Sequence, residues 1–174
     1  MINDWRIRNK AKMVVVDPRL TVTASKADRW LAVRPGTDMA LGLALIHHIL
    51  SEDLHDKTFC DDWMLGWEKW RDSILAAGYT PDWAEPITSI PADQIRRLAE
   101  EIASADGCVI FASRGINQHT TSVQTNRVLM YLAAITGNWG RKGGAFFNMG
   151  AGVPIAPNAP EHRRGKYDKP MVRK

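Results

Sequence analysis

The stretch Met13 to Leu41, MVVVDPRLTVTASKADRWLAVRPGTDMAL, limits the possible folds of this 174-residue chain more than any other. Four apolar residues from Met13 to Val16 run on without polar alternation, which predicts a strand buried on both faces. Asp17-Pro18-Arg19 stops the run, because proline lacks a backbone donor and ends the ladder. An acid at the carboxyl end of a parallel strand stands where open α/β sheets bind nucleotides. Further on, Arg34-Pro35-Gly36-Thr37-Asp38 is a second tight turn that ends in an acid and opens an apolar helix. Two acid-bearing turns so arranged predict a pocket for the ribose and base of a nucleotide.

Composition narrows the partners. The apolar share of 45% is enough to fill a core, and the length suits one domain or one domain and part of another. The net charge of +4 is spread along the chain, with its densest cluster in His162-Arg163-Arg164-Gly165-Lys166. Basic patches interleaved with stacking aromatics are lacking, which argues against nucleic acid and leaves a phosphate-bearing cofactor or an acidic neighbour as the reason for the charge. Two cysteines, Cys60 and Cys108, make neither a disulfide framework nor a zinc site. No apolar run is long enough for direct membrane insertion, and Met1 to Lys12 is too charged for a signal peptide, so a soluble protein is expected.

The remaining pattern is α/β. Asn3 to Asn9 reads as the tail of a helix entering the first strand. Thr37 or Asp38 caps the next helix, and Gly36 lets the backbone turn. Met39 to Leu50 is apolar on nearly every side and should be buried. Asp56 to Ala77 alternates charge with Trp63, Trp67 and Trp70, which predicts one or two short helices, with Asp61-Asp62 as a capping pair and the tryptophans as packing residues. Thr80-Pro81 opens another short helix. Pro91 starts PADQIRRLAEEIASA, where Ile95, Leu98, Ala99 and Ile102 recur at helical spacing. A second buried strand is expected from Cys108 to Ala112, then a loop from Ser113 to His119. A helix from Ser122 to Thr136 follows, closed by Gly137-Asn138. The Gly-, Pro- and Asn-rich remainder reads as irregular.

Each strand thus ends in a polar loop, and the two loops differ. The first is acidic, and a carboxylate can accept two parallel hydrogen bonds from the N1–H and amine of guanine. The second carries Arg114, Asn117, Gln118 and His119, and arginine and backbone amides suit phosphate oxygens. Taken alone, Asp17 reads as a turn residue paired with Arg19, and Asp38 as a helix-start residue favoured by the dipole. His47 and His48 are adjacent and cannot both face one metal from a helix, so core packing or an interdomain contact is expected. His119 either lines a substrate channel or bonds a backbone carbonyl. The dinucleotide fingerprint GxGxxG is lacking, which counts against an NAD-dependent dehydrogenase.

The segment VVVDPRLTVTASKADRWLAVRPGTDMALGLALIHHILSEDLHDKTF resembles the central region of molybdopterin oxidoreductases of the dimethyl sulfoxide reductase type. PADQIRRLAEEIASADGCVIFASRGINQHTTSVQTNRVLMYLAAITGNWGRKGG is similar to the next segment of that family, in the same order. The resemblance spans roughly Lys12 to Gly144. It implies parallel-sheet, Rossmann-like layers, incomplete in this chain. Residues 1–105 would form a first nucleotide-binding α/β segment with a helical insertion, 106–145 the start of a second, and 146–174 an irregular basic tail.

The resemblance also implies a cofactor and a site. Family members hold molybdenum or tungsten between two molybdopterin guanine dinucleotides and carry out oxygen-atom or electron-pair transfer, often in anaerobic respiration. Asp17, Pro18 and Arg19 would line one guanosine pocket, completed by Gly36, Thr37 and Asp38, with Asp38 reading the guanine edge. Arg114, Gly115 and Gln118 would approach the pterin-phosphate part of the second dinucleotide. No residue here is assigned a catalytic or metal-ligating role. The family's cysteine cluster for an iron–sulfur centre and its metal ligand belong upstream of the DPR region, so the chain is expected to be an internal piece, inactive alone, of a prokaryotic cytoplasmic or periplasmic enzyme. Its partners would be the remaining domains or subunits and an iron–sulfur electron-transfer subunit. The stretch after Gly144 resembles the branch acting on sulfur compounds, arsenicals or organic substrates more than the formate dehydrogenases. The alternative is a stand-alone guanine-nucleotide-binding or scaffold module without redox chemistry.

Overall fold

The computed structural model of the protein describes residues 2–148. Helix α1 (Ile2–Arg8) enters strand β1 (Val14–Val16), which pairs in parallel with β2 (Arg29–Leu31) in the register Val14↔Arg29, Val15↔Trp30 and Val16↔Leu31. A short 3-10 turn, Ala24–Lys26, lies in the crossover and buries Ala24. The pair follows the α/β pattern, but β1 is not buried on both faces: Val14 and Val15 are half-buried and Val16 is exposed. Among the described residues β2 is its one ladder neighbour, so little of the protein remains to cover it. Strand β2 has no sequence signal of its own. Three residues, RWL, are too few to show a period.

The core is built on helix α2 (Asp38–Ser51), in which Ala44, Ile46 and Ile49 are fully buried. Each isoleucine so buried contributes about 1.5–3 kcal/mol of transfer free energy. Helices α5 (Pro81–Thr88), α6 (Ala92–Ser104) and α8 (Ser122–Ile135) all pack against α2. Gly42 makes the α8 approach possible, because a Cβ there would lie 2.6 Å from Val128 Cγ1. Ile95, Leu98 and Ala99 form the buried stripe of α6, as their spacing predicts, and Thr80 starts α5 by accepting a bond from the Trp83 amide at 3.1 Å. His48 is buried with its Nε2 3.5 Å from Glu100 Oε1, a contact between helices α2 and α6.

Helices α3 (Lys57–Trp63) and α4 (Trp67–Ala76) fill the tryptophan-rich region. Here the capping expectation is corrected. Asp56 caps α3 by accepting from the Phe59 amide at 2.9 Å, whereas Asp61 and Asp62 lie inside the helix. Asp61 accepts instead from the indole of Trp67 at 3.0 Å, which fastens α3 to α4 and seats the buried Trp67 ring. Trp63, by contrast, is 68% exposed and packs into no core.

The second sheet pairs β3 (Val109–Ala112) in parallel with β4 (Ala145–Asn148), from Val109↔Ala145 to Ala112↔Asn148. Strand β3 is one-sided, with Val109 and Phe111 exposed and Ala112 buried, so full burial is again not observed. Residues 145–148 were expected to border or enter an irregular tail; they are a strand because Gly144 delivers them alongside β3, with the Ala145 amide bonded to the Cys108 carbonyl at 3.1 Å. The rest of the expected tail, 149–174, lies outside the described residues. Gly137, with φ of 64°, closes α8 in the left-handed region as expected. Buried Asn138 accepts from the Cys108 amide at 2.8 Å and donates to Thr136, tying the end of α8 to the start of β3.

Candidate cofactor-binding site

Both acid-bearing turns leave the same end of one sheet. Asp17 follows β1 and residues 32–38 follow β2, and parallel pairing puts their carboxyl ends side by side. Asp17 does not ion-pair with Arg19. Its Oδ1 accepts from the Arg19 backbone amide at 2.8 Å, closing a turn in which Asp17 is half-buried and Pro18 and Arg19 are exposed. The Asp17 carbonyl accepts from the Trp30 indole at 2.7 Å, so β2 holds the turn in place.

The second turn is fixed from below. The Arg34 amide donates to the Thr88 carbonyl at 2.8 Å, and its guanidinium reaches Ser89 Oγ at 3.0 Å. Gly36 adopts φ of 79°, which a side chain would resist. Thr37 is the residue before α2, yet its hydroxyl does not cap the helix; it donates to the Arg34 carbonyl at 2.7 Å and closes the turn on itself. Asp38 is the first residue of α2 and is half-buried. Burial pushes its carboxyl above the ordinary carboxylate value, against the opposing pull of its own backbone amide and of nearby His119. A half-desolvated carboxylate with no side-chain donor recorded on it suits a ligand that brings two N–H groups.

The second loop is organised otherwise. Ser113 to His119 is not wholly irregular: Arg114–Asn117 form a short helix, α7, because the Ile116 and Asn117 amides both bond to the Ser113 carbonyl. Asn126 of α8 donates to Asn117 Oδ1 at 3.0 Å and secures the far end. Arg114, Gly115 and Gln118 are exposed, and a Cβ on Gly115 would meet nothing within 4 Å. Among the described residues, no hydrogen bond or ion pair joins these three side chains to the first sheet's turns. They are available to phosphate oxygens but do not yet form a closed pocket.

His119 makes the link between the loops. Its imidazole stands over Gly36, with Nδ1 3.5 Å and Cε1 3.6 Å from where a Cβ of that residue would be. Gly36 therefore leaves a methyl-sized cradle under the ring. The only signal in the sequence was a histidine ending a polar loop. Arg34 and Trp30, which brace the two turns, were also missed; both act through partners distant in sequence. Among the described residues no three histidine, cysteine, aspartate or glutamate side chains gather as a metal site, and no helix is long and apolar enough to cross a membrane. A depression lined by Arg6, Ile7, Lys10, Ala11, Lys12 and Asp28 lies at the amino end of β1 and β2, opposite these turns.

Comparison with known proteins follows the same outline. The sequence model described as molybdopterin oxidoreductase matches residues 1–168. The chain is 38% identical over 161 residues to the probable dimethyl sulfoxide reductase chain YnfF of Escherichia coli, covering 82% of this chain and 20% of that protein. It is 40% identical over 134 residues to formate dehydrogenase H of the same organism, covering 77% and 18%. With the molybdopterin-containing thiosulfate reductase subunit PhsA of Salmonella typhimurium it shares 31% identity, over 94% of this chain and 22% of that subunit. Among solved structures, acetylene hydratase from Pelobacter acetylenicus superposes with a TM-score of 0.75 at 31% identity, covering 80% of this chain and 19% of that one. The chain spans about a fifth of the length of the curated relatives it matches. The similar identities to reductases and to a formate dehydrogenase do not separate the branches of substrate.

Proposed function

Because the chain belongs to the molybdopterin oxidoreductase family of the dimethyl sulfoxide reductase type, we propose that it cradles the guanine dinucleotide cofactor of a molybdenum or tungsten oxidoreductase. The observation that carries the reading is the Asp38 carboxylate, half-buried at the start of α2 in a turn fixed by Arg34 and Thr37. Asp38 accepts from the N1–H and amine of guanine, and a carboxylate preset in this way loses little entropy when it binds. Asp17 and Pro18 border the ribose, with Arg19 free to reach a phosphate. Gly36 and Thr37 let the backbone approach the nucleotide. On the second loop Arg114 donates to phosphate oxygens, Gly115 allows close approach and Gln118 bonds the pterin portion.

When bound, the cofactor supplies the oxygen-atom or electron-pair chemistry, and the chain supplies position and exclusion of water. Residues 1–105 form the first nucleotide-binding segment and 106–145 the start of the second. In the complete oxidoreductase the partners are its remaining domains or subunits, an iron–sulfur cluster lies in the part preceding this segment, and an iron–sulfur subunit carries electrons.

The test is direct. The complete protein is purified from its host, molybdenum and tungsten are measured by mass spectrometry, and guanine is quantified after acid hydrolysis. Guanine in fixed ratio to molybdenum or tungsten is the expected result. Guanine nucleotide without either metal would favour a stand-alone binding module, and neither guanine nor metal would sink the proposal.

A further inference from the structure

The second-loop side chain of His119 lies against the first unit's nucleotide turn. Its ring, itself exposed, lies beside Gly36, two residues before Asp38, where the backbone takes a positive φ of 79° that glycine adopts without strain. The loop behind the ring is secured: the His119 carbonyl accepts from the Ser122 amide at 3.0 Å, at the start of α8, and α8 packs along α2 through Gly42. A closed circuit results, running from Asp38 down α2, across to α8, back to His119 and over Gly36. His119 is also near enough to Asp38 for its charge to bear on that carboxyl, alongside the larger effect of burial.

We propose that His119 is a positioning residue for purine selection: set against Gly36, it adds to the bonds of Arg34 and Thr37 that hold the turn, so that Asp38 presents both carboxylate oxygens to the purine edge. This rests on the guanine reading of Asp38. Guanine offers N1–H and a 2-amino group, whereas hypoxanthine offers only N1–H. A carboxylate held square to the edge takes both bonds and distinguishes the two bases. A carboxylate free to swing takes the shared N1–H bond alone and distinguishes them poorly. Removing His119 should therefore lower selectivity more than affinity, a pattern that simple loss of fold does not produce.

The experiment titrates the complete protein, depleted of cofactor, with guanosine diphosphate and inosine diphosphate by calorimetry, and checks each variant by far-UV circular dichroism. In the wild type guanosine diphosphate should bind at least about tenfold tighter, the lower end of what one charge-assisted hydrogen bond supplies. Asp38→Asn should abolish that preference. His119→Ala should reduce it to about twofold or less while inosine diphosphate binds nearly as before, and His119→Phe, which keeps a ring over Gly36, should restore most of it. Preference retained in His119→Ala but lost in Asp38→Asn would overturn the role of His119 and leave the guanine reading standing. An equal fall for both nucleotides in His119→Ala, or a phenylalanine variant that behaves like the alanine one, would likewise overturn it. A wild type without preference would overturn the guanine reading and this role with it.

Discussion

The two loops that face the proposed cofactor are built on opposite principles. The Arg34–Asp38 turn is braced by backbone and side-chain bonds to Thr88, Ser89 and its own Arg34 carbonyl, and it opens a fourteen-residue helix buried along most of its length. The Ser113–His119 loop opens a helix of four residues, none of them buried, and holds out Arg114 and Gln118 to solvent. On the proposed reading, the difference divides recognition between the two loops. A base edge must be met by atoms already in position, since selectivity is lost when the acceptor moves. Phosphate oxygens present several equivalent acceptors, so an exposed guanidinium can meet one without being preset.

Asp38→Asn breaks the preset side and should have the largest effect. The variant loses one charge-assisted bond, worth about 1.5–3 kcal/mol, and turns a donor toward the guanine amine. Guanine retained by the complete protein should fall about a hundredfold in affinity, with an unchanged circular dichroism spectrum. Retained guanine in a folded variant would reduce Asp38 to a helix-start residue. Arg114→Ala tests the adaptable side. Retention should fall only about tenfold, and thermal stability should move by less than about 0.5 kcal/mol because the side chain is exposed. A loss of stability there would show that the second loop is braced as firmly as the first.

The smallest effect is on stability against pH, and it sharpens the contrast between a site acid and a scaffold acid. Burial alone would push the Glu101 carboxyl up, but Lys12 at 2.8 Å, Arg97 at 2.9 Å and Arg29 at 2.7 Å hold it below its ordinary value of 4.5. A depressed carboxyl stabilises the fold above its unfolded value, and that contribution is lost as pH falls through the lower folded value. Asp38 has the opposite sign. Its raised value means that ionisation opposes folding, so the cost is absent below 3.8 and present once pH exceeds the folded value. Glu101→Gln should therefore lower the urea midpoint near pH 7, by an amount that shrinks as pH falls below 4.5, whereas Asp38→Asn should not lower it at pH 7 even though nucleotide is lost. A midpoint that falls in Asp38→Asn at neutral pH would show that Asp38 serves the fold before the ligand.

Much of this molecule is legible along the chain because the determining interactions are local. The stripe Ile95, Leu98, Ala99 marks α6, Pro91 and Thr80 mark helix starts, and the all-apolar α2 announces its own burial. The family motifs DPR, RPGTD, NQH and TGNWGR likewise stand out by residue type and order. The exposed faces of β1 and β3 were not legible, because a run of valines states only that a strand is apolar, and burial depends on what lies beside it. Strands β2 and β4 were missed for a related reason: each is three or four residues long and exists through pairing with a strand elsewhere.

The site divides along the same line. Residue type and order alone determined that acids end one pair of turns and that arginine and amides end another, since turn chemistry depends on neighbours within a few positions. Only the tertiary structure decided that His119 sits over Gly36, that Trp30 holds Asp17 and that Thr88 holds Arg34. Those contacts close over tens of residues through the packing of α2 on α5 and α8. No local period or propensity encodes them, because a contact between distant residues exists only once the core has brought their elements together.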